Sequence, residues 1–209
     1  MAGSRDNILV ADKKQLLIGV LALQGAFALH EKRLRELGAD VRLVRKPEEL
    51  EGLDGLIVPG GESSTFLKFL ERGNLLPALK AFVSTKPAFG TCAGAILLAE
   101  HVTNPAQESL GAMHITVERN AYGRQNDSAI LTGETSLPGG PLEMVFIRAP
   151  KITATGAGVE VLAEREGSPT LVRQGKLLAA TFHPELSNDT RVHEEFLRLV
   201  RESSSHAAV

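Results

Sequence analysis

The sequence predicts an α/β protein of three layers, a mostly parallel sheet flanked by helices, with antiparallel additions in the C-terminal half. Three observations carry this. Leu16-Leu17-Ile18-Gly19-Val20-Leu21-Ala22-Leu23 is a continuous apolar run, as expected of a strand buried on both faces. Through residue 100, apolar strand patterns alternate with amphipathic helical ones, the signature of strands joined by helical crossovers. Beyond Gly111 short strand patterns follow one another, separated by turn residues such as Pro138-Gly139-Gly140-Pro141 and Gly156-Ala157-Gly158.

In chain order, the first strand leads to a helix from Ala26 to Leu37, closed by Gly38 as a C-terminal cap. Val41 to Val44 alternates as a strand, Pro47 to Leu50 makes a short helical piece, and Leu56 to Val58 makes the next strand. Thr65 to Glu71 and Leu75 to Val83 read as helices, Pro87 to Phe89 as a strand, and Ala93 to Glu100 as a helix. Strands are then expected at Met113 to Glu118, Ser128 to Thr132, Met144 to Ile147, Val159 to Glu164, Thr170 to Arg173 and Leu177 to Phe182. A final amphipathic helix, Asp189 to Arg201, places Val192, Phe196, Leu197 and Val200 on one face. Residues 15–202 form one expected domain, with a polar, flexible lead at 1–14 and a frayed tail at 203–209.

With 209 residues and 43% hydrophobic content, the chain can bury a proper core. A net charge of −2 gives no electrostatic footprint for nucleic acid or an anionic membrane. The single cysteine, Cys92, excludes an internal disulfide; the start lacks a signal-peptide apolar core, and no apolar run is long enough to span a bilayer. A cytoplasmic location is the expectation. The histidines at 30, 101, 114, 183, 193 and 206 show no paired spacing, so no metal site is expected.

Three strand ends carry chemistry. Gly90-Thr91-Cys92-Ala93-Gly94 reads as a nucleophile elbow, a sharp strand-to-helix turn that holds a thiol in the open at a helix N-terminus, where the dipole favours the thiolate. Leu177 to Phe182 runs into His183-Pro184-Glu185, where an imidazole could take the thiol proton and a carboxylate could orient the ring. Leu56-Ile57-Val58 ends in Gly60-Gly61-Glu62-Ser63, where glycines let backbone N–H groups face a ligand; the Gly61 and Ala93 N–H groups are the candidate oxyanion donors. Taken singly, each feature has a plain structural reading: a buried small hydrophobe, a capped strand end, a loop charge, a helix start. Their joint occurrence favours the order nucleophile, base, orienter.

Together these motifs resemble the class I (triad) glutamine amidotransferases, whose fold is flavodoxin-like. Within them, the chain is similar to the glutaminase-subunit family of pyridoxal 5′-phosphate synthase. The closer likeness rests on Gly19-Val20-Leu21-Ala22-Leu23-Gln24-Gly25, on Val117-Glu118-Arg119-Asn120 with Gly123-Arg124-Gln125 and Asp127-Ser128, and on Val145-Phe146-Ile147-Arg148-Ala149-Pro150. These strings and the triad span residues 16–200; the polar lead before Leu16 is longer than the family requires.

The resemblance implies hydrolysis of L-glutamine through a γ-glutamyl thioester on Cys92, with His183 as acid and base and Glu185 as the orienting carboxylate. It maps glutamine binding onto Gly61, Glu62, Ser63, Arg119, Ile147 and Arg148. It also implies a partner, a (β/α)8-barrel synthase subunit in a large hetero-oligomer, with Gln24 and Gly25 as candidates for sensing its docking. No cofactor is expected, pyridoxal 5′-phosphate being the product of the complex. The competing readings are the glutaminase of another amidotransferase, such as imidazole glycerol phosphate synthase, a cysteine hydrolase or chaperone on the same type of sheet, and a catalytically silent interaction module.

Overall fold

The computed structural model describes residues 15–121 and 128–206. The expected flexible lead at 1–14, the Gly123-Arg124-Gln125 string and Asp127 lie outside the described residues.

The first half alternates as the sequence predicts: β1 (Leu17–Leu21), α1 (Phe27–Glu36), β2 (Asp40–Val44), a 3-10 turn at Pro47–Leu50, and β3 (Gly55–Val58). Then come α2 (Ser63–Arg72), α3 (Leu75–Thr85), β4 (Ala88–Thr91) and α4 (Ala93–Leu98). The second half adds β5 (Ala99–Thr103), β6 (Met113–Glu118), β7 (Ala129–Gly133), β8 (Leu142–Phe146), β9 (Lys151–Thr155), β10 (Glu160–Arg165), β11 (Ser168–Gln174) and β12 (Leu177–Ala180). A 3-10 turn at Pro184–Leu186 precedes α5 (Arg191–His206).

The main sheet has seven strands in the order β10-β11-β12-β4-β3-β1-β2. From β12 to β2 all neighbours pair in parallel, while β10 and β11 add antiparallel pairs at one edge. Sheets β5-β6-β9 and β7-β8 supply the remaining pairings, antiparallel except for β5 with β6.

Side-chain alternation along the parallel strands divides the core between the two faces. In β3, Leu56 and Val58 join Phe66, Leu70 and Leu79 of α2 and α3 on one side, and Ile57 joins Leu34, Val192 and Phe196 of α1 and α5 on the other. All residues of β3, β4 and β12 are buried, which is why β3 and β12 read as unbroken apolar segments. No helix among the described residues is long and apolar enough to cross a membrane.

Three expectations need correction. The helix after Cys92 ends at Leu98, not Glu100: Ala99 turns extended (φ −61°, ψ 149°) and starts β5, which the unbroken apolar composition conceals. β9 is an edge strand with Ile152 as its fully buried residue, too weak a pattern to stand out. Of the tail expected to be frayed at 203–209, residues 203–206 continue α5, and 207–209 lie outside the described residues. Ser204 and Ser205 donate their hydroxyls back to the carbonyls of Val200 and Arg201 at 3.0 Å, one turn earlier in the helix.

Candidate active site

Adjacency in the sheet brings the three sequence motifs together. β12, β4 and β3 are parallel neighbours, so the segments leaving their C-terminal ends, His183-Pro184-Glu185, Cys92 and Gly60-Gly61, emerge side by side. A Cβ built on Gly60 would lie 2.6 Å from His183 Cε1 and 3.1 Å from Cys92 Cβ, so the glycine loop closes directly over the cysteine and histidine.

Cys92 sits between β4 and α4 with φ 50° and ψ −106°, a conformation costly for a residue with a side chain. Its N–H donates to Ala180 O of β12 at 2.8 Å, and its C=O accepts from Ile96 N at 3.2 Å, so the strained corner is tied on both sides. The thiol is not held in the open as the sequence suggests. Cys92 is only 7% exposed and lies against a pocket of about 540 Å³.

His183 Nδ1 and Glu185 Oε1 are 2.8 Å apart, with the carboxylate fully buried. Burial opposes the imidazolium, but hydrogen bonding to Cys92 and Glu185 outweighs it and raises the His183 pKa to about 10. Burial likewise opposes the Glu185 carboxylate, and the His30 and His183 rings more than compensate, holding its pKa below the ordinary value. The 3-10 turn at Pro184–Leu186 lets His183 and Glu185 meet although they are only two residues apart.

The remaining predicted residues divide into pocket wall and support. Gly61, Glu62, Ser63, Arg119, Ile147 and Arg148 all border the pocket with Cys92 and His183. Arg119 is aimed by two hydroxyls, donating from Nε to Ser63 Oγ at 3.1 Å and from Nη2 to Ser64 Oγ at 2.7 Å. Arg148 stands at φ 44°, just after β8, beside the 40% exposed Ile147. Ala93, fully buried, opens α4 and does not border the pocket through its side chain. Gln24 and Gly25 lie behind the glycine loop: Gln24 donates from Nε2 to Glu62 O at 2.7 Å, and a Cβ on Gly25 would stand 1.7 Å from Gly60 O. Asn120, Pro150, Ala26 and Leu186 also line the pocket without having been picked out as binding residues.

Glu62, rather than either serine after it, caps α2. Its carboxylate accepts from Ser64 N at 3.0 Å and Thr65 N at 2.7 Å. Hydrogen bonds from Thr65 first, then Ser64, lower its pKa to about 2 against an ordinary 4.5. The cap therefore stabilises the fold fully above pH 4.5 and is lost as pH falls through 2. Glu62→Ala is expected to lower stability by about 1 kcal/mol at neutral pH. Urea unfolding should show this gap closing between pH 4.5 and 2, and a gap that is the same throughout would remove the capping account.

Behind the triad stand two histidines that the sequence did not mark, His30 of α1 and His193 of α5, both fully buried. Each falls on the apolar stripe of its helix, near Leu34 and beside Val192, and a titratable residue in such a stripe was the available signal. Among the described residues, no group of three or more His, Cys, Asp or Glu could hold a metal ion.

A sequence model of the SNO glutamine amidotransferase family matches residues 20–202. The pyridoxal 5′-phosphate synthase subunit PdxT of Koribacter versatilis is 65% identical over 188 residues, 90% of this chain and 97% of the relative. The subunit of the same name from Solibacter usitatus is 53% identical, covering 86% and 97%. A crystal structure of a glutamine amidotransferase superposes with a TM-score of 0.82 at 48% identity, covering 88% of this chain and 98% of that one. A GMP synthase subunit from Thermoplasma acidophilum shares the fold at 17% identity and a TM-score of 0.71, covering 93% of this chain and 98% of that one. With the matched region running from β1 into α5 and enclosing every strand end of the pocket, this chain belongs to the SNO glutamine amidotransferase family.

Proposed function

We propose that this protein hydrolyses L-glutamine to L-glutamate and ammonia and passes the ammonia to a synthase subunit that makes pyridoxal 5′-phosphate. The observation that carries the reading is the cysteine, histidine and buried carboxylate array on neighbouring strand ends at one wall of the pocket.

The chemistry follows from the residues. The Cys92 thiolate attacks the side-chain amide carbon of glutamine, and the oxyanion that forms is met by the Gly61 and Ala93 N–H groups. His183, held as imidazolium, protonates the departing nitrogen, so ammonia leaves and a γ-glutamyl thioester remains. The now neutral ring takes a proton from water, which attacks the thioester and releases glutamate. Glu185 keeps the ring oriented and stabilises its positive charge through both half-reactions. Arg119 and Arg148 are the cations suited to the substrate α-carboxylate, and Glu62, Ser63 and Ile147 border the same pocket.

Ammonia released into neutral water is protonated and loses its nucleophilicity, so transfer to a docked partner has a chemical reason. The PdxT relatives are named as synthase subunits, which supports a heteromeric complex. Exposed Ile147 and Leu186 at the pocket mouth, with Leu29 on α1, offer apolar surface for a (β/α)8-barrel subunit. Gln24 and Gly25 brace the Gly60–Gly61 peptide, a placement from which docking could be relayed to the oxyanion donors.

Glutamate release from L-glutamine, measured for the chain alone and with a pyridoxal 5′-phosphate synthase subunit, tests this. A rate that rises with the partner is expected. A rate indifferent to that partner would retain the glutaminase and overturn the proposed pathway, and no release under either condition would overturn the enzyme.

A further inference from the structure

The reaction as written uses one oxygen of Glu185. Oε1 pairs with His183, but Oε2 is equally buried and, among the described residues, meets no donor in good hydrogen-bond geometry. The polar atom facing it is His30 Nε2, at 3.3 Å. The same nitrogen is 3.3 Å from Thr91 Oγ1, next to Cys92 in the chain, and the opposite nitrogen, Nδ1, is 2.9 Å from His193 Nε2. Among the described residues His193 Nδ1 has no hydrogen-bond partner. The pair is sealed by Phe89, whose ring meets His30 edge-on at 6.4 Å and His193 at 6.0 Å.

Only one proton arrangement satisfies these contacts at low cost. An ionised carboxylate accepts and cannot donate, so the proton between His30 and Glu185 belongs on His30 Nε2. A neutral His30 then presents Nδ1 as an acceptor, which requires the proton of His193 on Nε2. That leaves His193 Nδ1 as a bare lone pair, the cheapest group to leave unpaired in a dry core; the reverse order would strand an N–H there.

We infer that His30 and His193 form a positioning relay: Glu185 at one nitrogen and His193 at the other together fix the tautomer of His30, and the His30 Nε2–H faces the second oxygen of Glu185 so that the first is kept on His183. This deepens the glutaminase reading and rests on it. Neither ring touches the reacting atoms. The charged and titratable groups around the pair are Glu185 and His183 on the segment after β12, and Arg33 on α1 itself. Burial favours the neutral form of both rings, and for His193 the neighbouring His30 and Arg33 act in the same direction. The attraction of Glu185 for a second proton on His30 is the opposing influence.

Two readouts test the relay in the full chain. Ring-nitrogen NMR of the free protein should show His30 and His193 both as Nε2–H tautomers that do not titrate between pH 5 and 8. In His193→Leu, with only the Glu185 contact left to bias the ring, the Nδ1–H form of His30 should become detectable beside Nε2–H. A His30 Nδ1–H form in the wild type, or a titrating ring, would overturn the relay.

With the synthase subunit present, His30→Leu should lower kcat for glutamine hydrolysis about ten- to a hundredfold, the scale on which supporting partners of a functional histidine act. KM should stay within about twofold, because His30 does not border the pocket. The acid limb of the pH profile should move upward, since Glu185 loses a group that lowers its pKa. His30→Gln, which keeps a donor toward Glu185, should recover most of the rate. Equal impairment of the Leu and Gln variants, or a His30→Leu variant as active as wild type, would overturn the proposal. An inactive wild type would instead overturn the glutaminase reading, and the ring spectra would still decide the relay.

Discussion

Cys92→Ala is expected to abolish glutamine hydrolysis, with turnover falling at least about a thousandfold, while the chain stays folded and binds the synthase subunit normally. The loss is large because nucleophile and base act as one unit, so removing one forfeits the covalent route. The fold should tolerate the change: alanine is smaller and keeps the backbone bonds of residue 92 to Ala180 and Ile96. It does not relieve the backbone, since alanine at φ 50° and ψ −106° carries the same penalty. Cys92→Gly does relieve it. The glycine variant should therefore melt no lower than the alanine variant, the relief of about 1–3 kcal/mol offsetting the extra chain entropy glycine brings. Glutamate release, partner binding and thermal melting of both variants check this. Unfolding of Cys92→Ala would make the cysteine a packing residue, and a glycine variant melting well below the alanine one would show that the elbow stores no strain.

The juxtaposition of Cys92, His183 and Glu185 was legible because the three sit where local rules change. A buried parallel strand must end at a turn, and the residues just past that turn are free to carry chemistry; Cys92, His183 and the Gly60–Gly61 pair all follow fully buried strands. Their meeting was legible too, because alternating strands and helices imply parallel order and put all three ends on one edge. What the local pattern could not supply was depth. A G-x-C-x-G elbow announces a nucleophile at a corner, yet the glycine loop and His183 bury it to 7% exposure, and that depends on β3 and β12 flanking β4.

His30 and His193 were illegible for a related reason. They lie 163 residues apart on different helices, and each alone is a histidine in an apolar stripe. Only the packing of α1 and α5 on the same face of the sheet, over Phe89, joins them. The missed strands show the converse limit. β5 follows α4 with no polar break, so composition cannot mark where the helix ends; β9 is specified mainly by pairing with β6.

Gly94→Ala is expected to be a severely damaging single-methyl change near the site, although position 94 has no chemical role. α4 runs so close beneath the sheet that a Cβ on Gly94 would lie 1.9 Å from Val58 O, the last carbonyl of β3, and 2.9 Å from its carbon. Both are backbone atoms of a buried strand, so no flexible side chain can move aside. The methyl can be accommodated only by lifting α4 off β3, at a cost of about 3 kcal/mol or more. In a domain of this size that lowers the melting temperature by roughly 6–12 °C. Lifting α4 also displaces the Ala93 N–H and the Cys92 corner, so whatever protein folds should turn over glutamine more slowly. Gly38→Ala is the control: it has nothing within 4 Å and suffers only from φ +81°, a cost of about 1–2 kcal/mol far from the thiol. Melting and glutamate release for both variants separate the two effects. If Gly94→Ala were as stable and as active as Gly38→Ala, the close approach of α4 to β3 would not be what holds the nucleophile in place.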